Sequence, residues 1–528
     1  MYSIATIAPV ALVLTAIGYV VYNVIYNLFL HPLAGFPGPR ANAISSLPGI
    51  FALLRGRLPL ENKKLHDRYG SVVRVSPNEL AYNSVQAWED IYGHRPGHAN
   101  MHKDPIHVGS VAPVAGVTTL TMADDDNHAR QRRALSHAFS QQALVQQEYI
   151  VKRYIDQFID NLKNFAEKQE EFNMVNWLNF TTFDIIGDLA FGEPFGCLDL
   201  GRFHEWVSMI YETVKAGALE QATRRFAPAG SLTQRILYEF IPKYRRNYRS
   251  EHLRRSREKC LARLNNGNSQ HKDFIWYIQK QQEKYDLKQD EIIVNSALFI
   301  VAGSETTANL LSGLLARLIW NPTKYTKLCA EIRAAFNKEE DLTFDKLSQL
   351  PYLNACIEEG LRIHPPVPTG LLRTVPAGGD TIDGRYVPGG TSVAVGSWSA
   401  AHNPANFRDC DEFVPERWLS GEKSYEGDLK KAAQPFSLGP RGCIGKHLSY
   451  MEMRLILGRL LWAFDVESVD GAWQWDPAGE MKNMRGLLIP SVFFTRFVWG
   501  FWLMRGFIAA YMTWEKPDLN VKVTLVQR

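Results

Sequence analysis

FSLGPRGCIG, residues 436–445, is the stretch on which the reading of this chain turns. Gly439, Gly442 and Gly445 surround Cys443, so the backbone there can turn sharply and approach a flat ligand without side-chain clashes. From Ile444 onward, Leu448, Met451, Leu455 and Trp462 follow helical spacing. Cys443 therefore stands just ahead of a helix N-terminus, where backbone N–H groups and the positive dipole end favour a thiolate. The same amides can hydrogen-bond a metal-bound sulfur and tune the metal. Arg441, two residues upstream, can face an anion. A phosphate-loop reading of GPRGCIGK fails on glycine spacing and on His447, which stands where Ser or Thr would hold magnesium. An inert buried cysteine in a glycine-rich turn is the remaining competitor.

Upstream lies a second anomaly, AGSETT at 302–307, inside a long apolar stretch from Gln289 to Trp320. Ile292, Ile293, Leu298, Ile300, Leu310, Leu311, Leu314, Leu315 and Leu318 give that stretch apolar residues nearly all round, and Asn321-Pro322 ends it. It predicts a buried helix of about 45 Å, long enough to cross a domain. A glycine there costs about 1 kcal/mol. An acid and hydroxyls on an apolar helix also cost stability unless they find partners. Thr can bond back to the carbonyl four residues earlier or open a bulge. Local rule-breaking of this kind marks functional sites.

The 528 residues are 46% hydrophobic and 22% charged, a globular balance. A net charge of +4 does not point to nucleic acid. Six cysteines lie far apart with no CxxC pair, which reads as free thiols in a reducing compartment. Between Met1 and Pro39 there is no Asp, Glu, Lys or Arg, and Ile4 to Leu30 is almost wholly apolar. As a helix it would span roughly 40 Å, enough for one membrane crossing. A cleaved leader would carry a basic start and a shorter apolar run. Basic residues begin only at Arg40, which places the body on the cytosolic side. HPLAGFPGPR, 31–40, cannot continue a helix and reads as a stiff elbow.

Val- and Gly-rich runs at Tyr69–Leu80 and Thr374–Ser397 predict short strands. Helical spacing covers Asn127–Phe139, Gln142–Glu167, Val175–Leu189, Arg202–Lys215 and Ser250–Leu264. The class is mainly α with a minor β part. The domain reading is an anchor at 1–30, an elbow at 31–40 and one catalytic domain at 41–528.

FSLGPRGCIG resembles the Phe-x-x-Gly-x-Arg-x-Cys-x-Gly signature of the cytochrome P-450 family at every specified position. The resemblance implies the P-450 fold, a haem b cofactor with Cys443 as axial thiolate, Arg441 on a propionate and Phe436 beside the sulfur. Gly439 belongs to the same cradle. Glu359 and Arg362, ahead of His364-Pro365-Pro366, are similar to the family's Glu-x-x-Arg. With Arg417 of Pro415-Glu416-Arg417-Trp418 they would form a structural triad. His128 and Arg132 resemble a Trp-x-x-x-Arg pair that donates to propionates, with His in place of Trp. Arg373 corresponds to a further propionate-binding Arg. AGSETT resembles the family's oxygen-activating groove. There Gly303 would leave room for oxygen, and Glu305 and Thr306 would relay protons.

An intact acid–alcohol pair favours monooxygenation over peroxide rearrangement, so an isomerase or dehydratase is the first alternative and a non-catalytic haem sensor the second. No GxGxxG follows a strand, so electrons would come from a separate NADPH-dependent flavoprotein reductase at the membrane. The anchor and elbow look like those of microsomal members from filamentous fungi. That implies the endoplasmic reticulum membrane and a lipophilic substrate of secondary metabolism. Substrate-lining candidates are Ile106–Leu120, Ala297–Ala302 and Val367–Leu372. The basic run from Lys243 to Arg257 reads as a solvated helix face, with partner or lipid docking as the alternative. Met484-Arg485-Gly486 recurs as Met504-Arg505-Gly506, and the apolar 487–506 segment reads as an insertion or translated intron.

Overall fold

A computed structural model describes residues 4–266, 270–469 and 512–527. The 487–506 segment lies outside the described residues.

Helices dominate, and small sheets sit at one side. The first helix, Ile4–Ile25, runs into a π-helical turn at Tyr26–Leu30 and stops at the proline-rich elbow. Arg74 fastens that junction by donating to the Asn27 carbonyl at 2.8 Å and to the Pro77 carbonyl. Arg385 closes the elbow from the other side, with its guanidinium 3.7 Å above the Phe36 ring and bonded to the Gly35 carbonyl. The elbow is stiff because the body grips it as well as because proline restricts it.

The helix Gln289–Trp320 has the bounds that its apolar pattern predicts. Among the described residues, two helical stretches are long and apolar enough to cross a membrane. Ala11–Leu30 is bare, whereas Gln289–Trp320 is mostly buried and is the spine of the domain. Its main neighbour is Met174–Phe191, in which every residue except Asn176 is buried. Gln141–Lys168 and Lys446–Ala463 pack against this pair to form the main apolar core.

Two helices depart from the expected bounds. Glu205–Phe226 replaces Arg202–Lys215, because His204 caps it by accepting from the Trp206 amide and the Ala-rich continuation sustains it. Lys243–Asn265 begins seven residues earlier than expected. Its basic residues meet acids on the same or neighbouring helices: Arg246 with Glu239, Arg255 with Glu251, Arg257 with Asp290.

The largest sheet has five strands in the order Val72–Ser76, Glu79–Tyr82, Ser392–Val395, Arg373–Thr374 and His102–Lys103. Glu79–Tyr82 and Ser392–Val395 are parallel. The others are antiparallel, and Lys103 faces Arg373 across the edge pair. Phe172–Asn173, Asn520–Leu525 and Phe464–Ser468 form a second sheet that brings the chain's end against the core.

Candidate active site

The cysteine loop closes on itself before the helix starts. The Cys443 amide donates to the Phe436 carbonyl at 2.8 Å, and the Gly442 amide donates to the Gly439 carbonyl at 3.0 Å. Gly439 adopts φ +67°, and a Cβ there would lie 2.0 Å from the Tyr92 carbonyl oxygen. Only glycine fits that position. The Phe436 ring is half-buried and tilts against Tyr450 at 5.3 Å between centroids. The helix then begins at Lys446, with Gly445 as its cap residue.

Among the six cysteines Cys443 alone is exposed, and the other five are buried. Protein nonetheless surrounds the thiol closely. Burial pushes the thiol up, against the pull of the Gly445 amide, Arg132 and Lys446. The helix start and the nearby cations therefore act against the cost of burying the sulfur.

A cleft of about 630 Å³ opens beside the loop, lined by His128, Arg132, Arg373 and Arg441 together with Tyr92 and Asp125. Arg132 donates to the Gly442 carbonyl at 2.5 Å, which joins the cleft wall to the cysteine loop. Arg441 spends one nitrogen on the Ala123 carbonyl and Asp125, both at 2.8 Å. Its other terminal nitrogen is buried with no hydrogen-bond partner. Arg373 is buried and stacks over the Tyr92 ring at 5.2 Å. Burial, with Arg441 and Arg132 nearby, lowers His128 to about 4, so its ring is neutral at pH 7. The structure brings all four predicted residues to one cleft.

On the long helix, the Thr306 hydroxyl donates to the Ala302 carbonyl at 2.8 Å and is open to the interior. Back-bonding therefore satisfies the threonine, and no bulge forms. Glu305 is buried and accepts from the Lys516 ammonium at 2.8 Å. A Cβ on Gly303 would meet Ile186 Cδ1 at 2.7 Å, so its missing side chain admits the Met174–Phe191 helix.

Glu359, Arg362 and Arg417 meet in the interior. Glu359 accepts from Arg362 at 2.7 Å and from Arg417 at 3.1 Å, and all three side chains are fully enclosed. Trp418 and the Val414 amide also donate to Glu359.

Sequence reasoning missed Lys103, which burial with Arg373 and Arg441 lowers to about 7. It also missed Lys516, Asn179 and Tyr211 around Glu305. The cross-strand pairing of Lys103 with Arg373 and the approach of the C-terminal segment to the long helix are long-range events that no local pattern encodes.

The fold is a mainly helical domain in which a glycine-bound cysteine precedes a helix, beside a cationic cleft, and a long buried helix carries an acid and an alcohol. The chain belongs to the cytochrome P450 family: the family model described as Cytochrome P450 matches residues 44–492. The chain is similar to "Cytochrome P450 monooxygenase aba2" of Botryotinia fuckeliana, 44% identical over 511 residues, with 96% of this chain and 93% of the relative covered. "Cytochrome P450 monooxygenase ABA2" of Pyricularia oryzae is 41% identical over 511 residues, with 96% and 94% covered. "Cytochrome P450 monooxygenase astJ" of Aspergillus oryzae is 44% identical over 463 residues, with 87% and 91% covered. The chain is thus an oxidoreductase of the monooxygenase class.

The family implies a haem, and the residues present fit one. The exposed sulfur of Cys443, the unpartnered nitrogen of Arg441 and a cleft crowded with cations suit a planar iron complex bearing two carboxylates.

Proposed function

We propose that this chain is a membrane-anchored haem-thiolate monooxygenase that hydroxylates or epoxidises a lipophilic small molecule of fungal secondary metabolism. The reaction consumes O₂, two electrons and two protons, and turns R–H into R–OH with release of water. Electrons come from a separate NADPH-dependent flavoprotein reductase. Residues 1–30 anchor the chain in the endoplasmic reticulum membrane, 31–40 form the elbow, and 41–528 form the cytosolic catalytic domain. The observation that carries this reading is Cys443, the exposed cysteine among six, set at a helix start beside a cationic cleft.

Haem b, held through Cys443, would supply oxygen activation. Arg132, Arg373, Arg441 and neutral His128 would hold its two carboxylates. Phe436 and Gly439 set the loop that presents the sulfur. Thr306 and Glu305 move protons into the cleft, and the apolar segments 106–120, 297–302 and 367–372 exclude water and orient substrate. Glu359, Arg362 and Arg417 hold the fold around the cofactor. The acid–alcohol pair favours oxygen chemistry over isomerisation of a peroxide, which needs no external protons.

The test is a carbon-monoxide difference spectrum of the reduced microsomal protein beside Cys443→Ser. The expected result is a thiolate-type band in the native protein that vanishes in the variant. A band that persists in Cys443→Ser, or a native protein without haem, sinks the reading.

A further inference from the structure

We propose that Lys516 is a positioning residue for proton delivery, holding Glu305 as a buried carboxylate and tying it through Asn179 to Tyr211. This rests on Glu305 and Thr306 acting as the proton relay.

The segment that carries Lys516 is firmly placed. Trp514, two residues earlier, donates its indole N–H to the Pro365 carbonyl at 2.9 Å and packs edge-on against Trp398. Lys516 then reaches into the core, 5% exposed, and meets Glu305, 9% exposed, at 2.8 Å. The same ammonium donates to Asn179 Oδ1 at 3.0 Å, and that oxygen also accepts from the Tyr211 hydroxyl at 2.8 Å. Tyr211 lies on Glu205–Phe226, whose Arg224 donates to the carbonyls of Pro105 and His107 in the apolar loop. One polar chain thus runs from the relay acid to the helix that fastens the substrate-lining loop.

Stability does not explain such a pair. Two charges taken out of water are costly, and a well-packed apolar replacement is often neutral or better. Specific geometry points instead to control of one carboxylate. Glu305 Oε1 is held by Lys516, while Oε2 is buried with no partner. The Thr306 hydroxyl, one residue on, has its proton directed to the Ala302 carbonyl. It therefore offers lone pairs to the interior and accepts a proton. In the proposed step, Glu305 Oε2 takes a proton from solvent hydronium, which becomes water. Thr306 turns from the Ala302 carbonyl, releases its own hydroxyl proton to the cleft and receives the Glu305 proton on Oγ1, so that Glu305 ends as carboxylate and Thr306 as hydroxyl. Lys516 keeps its three protons throughout. Charge returns to its starting value, and no electrons move.

The groups facing Glu305 are Lys516 from the C-terminal segment, Tyr211 from Glu205–Phe226, Asn179 from Met174–Phe191, and Asn309 on its own helix. Asn309 Oδ1 joins the His364 ring at 2.9 Å, and burial with Arg317 and Lys516 keeps His364 neutral, lowered to about 3. Burial lowers Lys516, and Glu305 opposes that.

Two measurements on the full-length membrane protein test this. In infrared spectra at neutral pH, Lys516→Met gains a protonated-carboxyl carbonyl band that is absent from the native protein and from the Lys516→Met/Glu305→Gln double variant. In NADPH-driven O₂ uptake with a flavoprotein reductase and no added substrate, the pH midpoint of the hydrogen-peroxide fraction rises in Lys516→Met by about one to three units. Lys516→Arg, which keeps the charge and guards against misfolding, restores both readouts. No new carboxyl band, or an unmoved midpoint, overturns the role of Lys516. If Glu305→Gln leaves the peroxide profile native, the relay reading itself fails, whatever the infrared band shows.

Discussion

Two clusters of arginines lie inside this domain, and they differ in how completely the protein satisfies them. Around Glu359, Arg362 donates to the carbonyls of Ala401, Cys410 and Glu412, and Arg417 to those of Arg408 and Asp409, besides their carboxylate partners. Asp428 completes that cluster as a second acid on Arg417. Along the cleft, Arg132, Arg373 and Arg441 share their space with Lys103, and Asp125 is the acid that meets them, through Arg441. One Arg441 nitrogen there has no partner. Like charges pressed together in a partly dry cleft repel, so burial and mutual repulsion lower Arg373 and Lys103 together. Identical side chains therefore serve opposite ends. The saturated cluster belongs to the scaffold, and the crowded one fits an incoming dianion.

That contrast is breakable by mutation. The largest effect is expected from Glu359→Ala, which strands two buried guanidinium groups and costs about 3–5 kcal/mol. Denaturant midpoints should fall or the protein should fail to express in soluble form, and a native-like midpoint would place Glu359 outside the scaffold. Gly439→Ala comes next: a left-handed φ and a clash with the Tyr92 carbonyl should cost about 1–3 kcal/mol and empty the cofactor site, read as haem per protein. Arg132→Ala or Arg373→Ala should do the reverse of Glu359→Ala. Each should lower haem retention by about 1.5–3 kcal/mol per lost charged hydrogen bond while leaving the haem-free fold nearly as stable. Equal losses in both forms would erase the distinction between the clusters.

Two pH effects sharpen it. In haem-stripped protein Lys103 is lowered to about 7, so between that value and the ordinary lysine range the unfolded chain binds a proton that the folded chain does not. Stability from this group therefore rises with pH across that window, and Lys103→Met should flatten thermal midpoints measured through it. His271, half-buried against Asp188, is raised by that carboxylate. Its contribution is complete below the ordinary histidine range and lost as pH rises through the folded value. Solvent screening should keep it below about 1 kcal/mol, the smallest effect here, visible only as a difference between native and His271→Gln midpoints.

The cysteine loop was legible because its chemistry is local. Three glycines, an arginine and the start of an amphipathic helix lie within about ten residues, and the geometry that presents Cys443 closes through hydrogen bonds inside that span. The long helix was legible for a related reason, since apolar residues on every side require burial wherever the helix ends up. The charge-free run before Arg40 had already set the N-terminal helix apart as the one to stay bare. Packing agrees, because only Gln289–Trp320 found Met174–Phe191 to lie against.

What the sequence by itself determined about this chain is the sulfur, its glycine cradle, the acid and alcohol, and the mainly helical class, all set by residue type and short-range spacing. Tertiary structure alone decided which partners those groups have. It turned the open side of Gly303 toward Ile186, set Lys103 against Arg373, and brought Lys516 to Glu305 across 211 residues of chain. The physical reason is that a charge's partner depends on which distant surfaces share a buried interior, and that is settled only when the whole core closes.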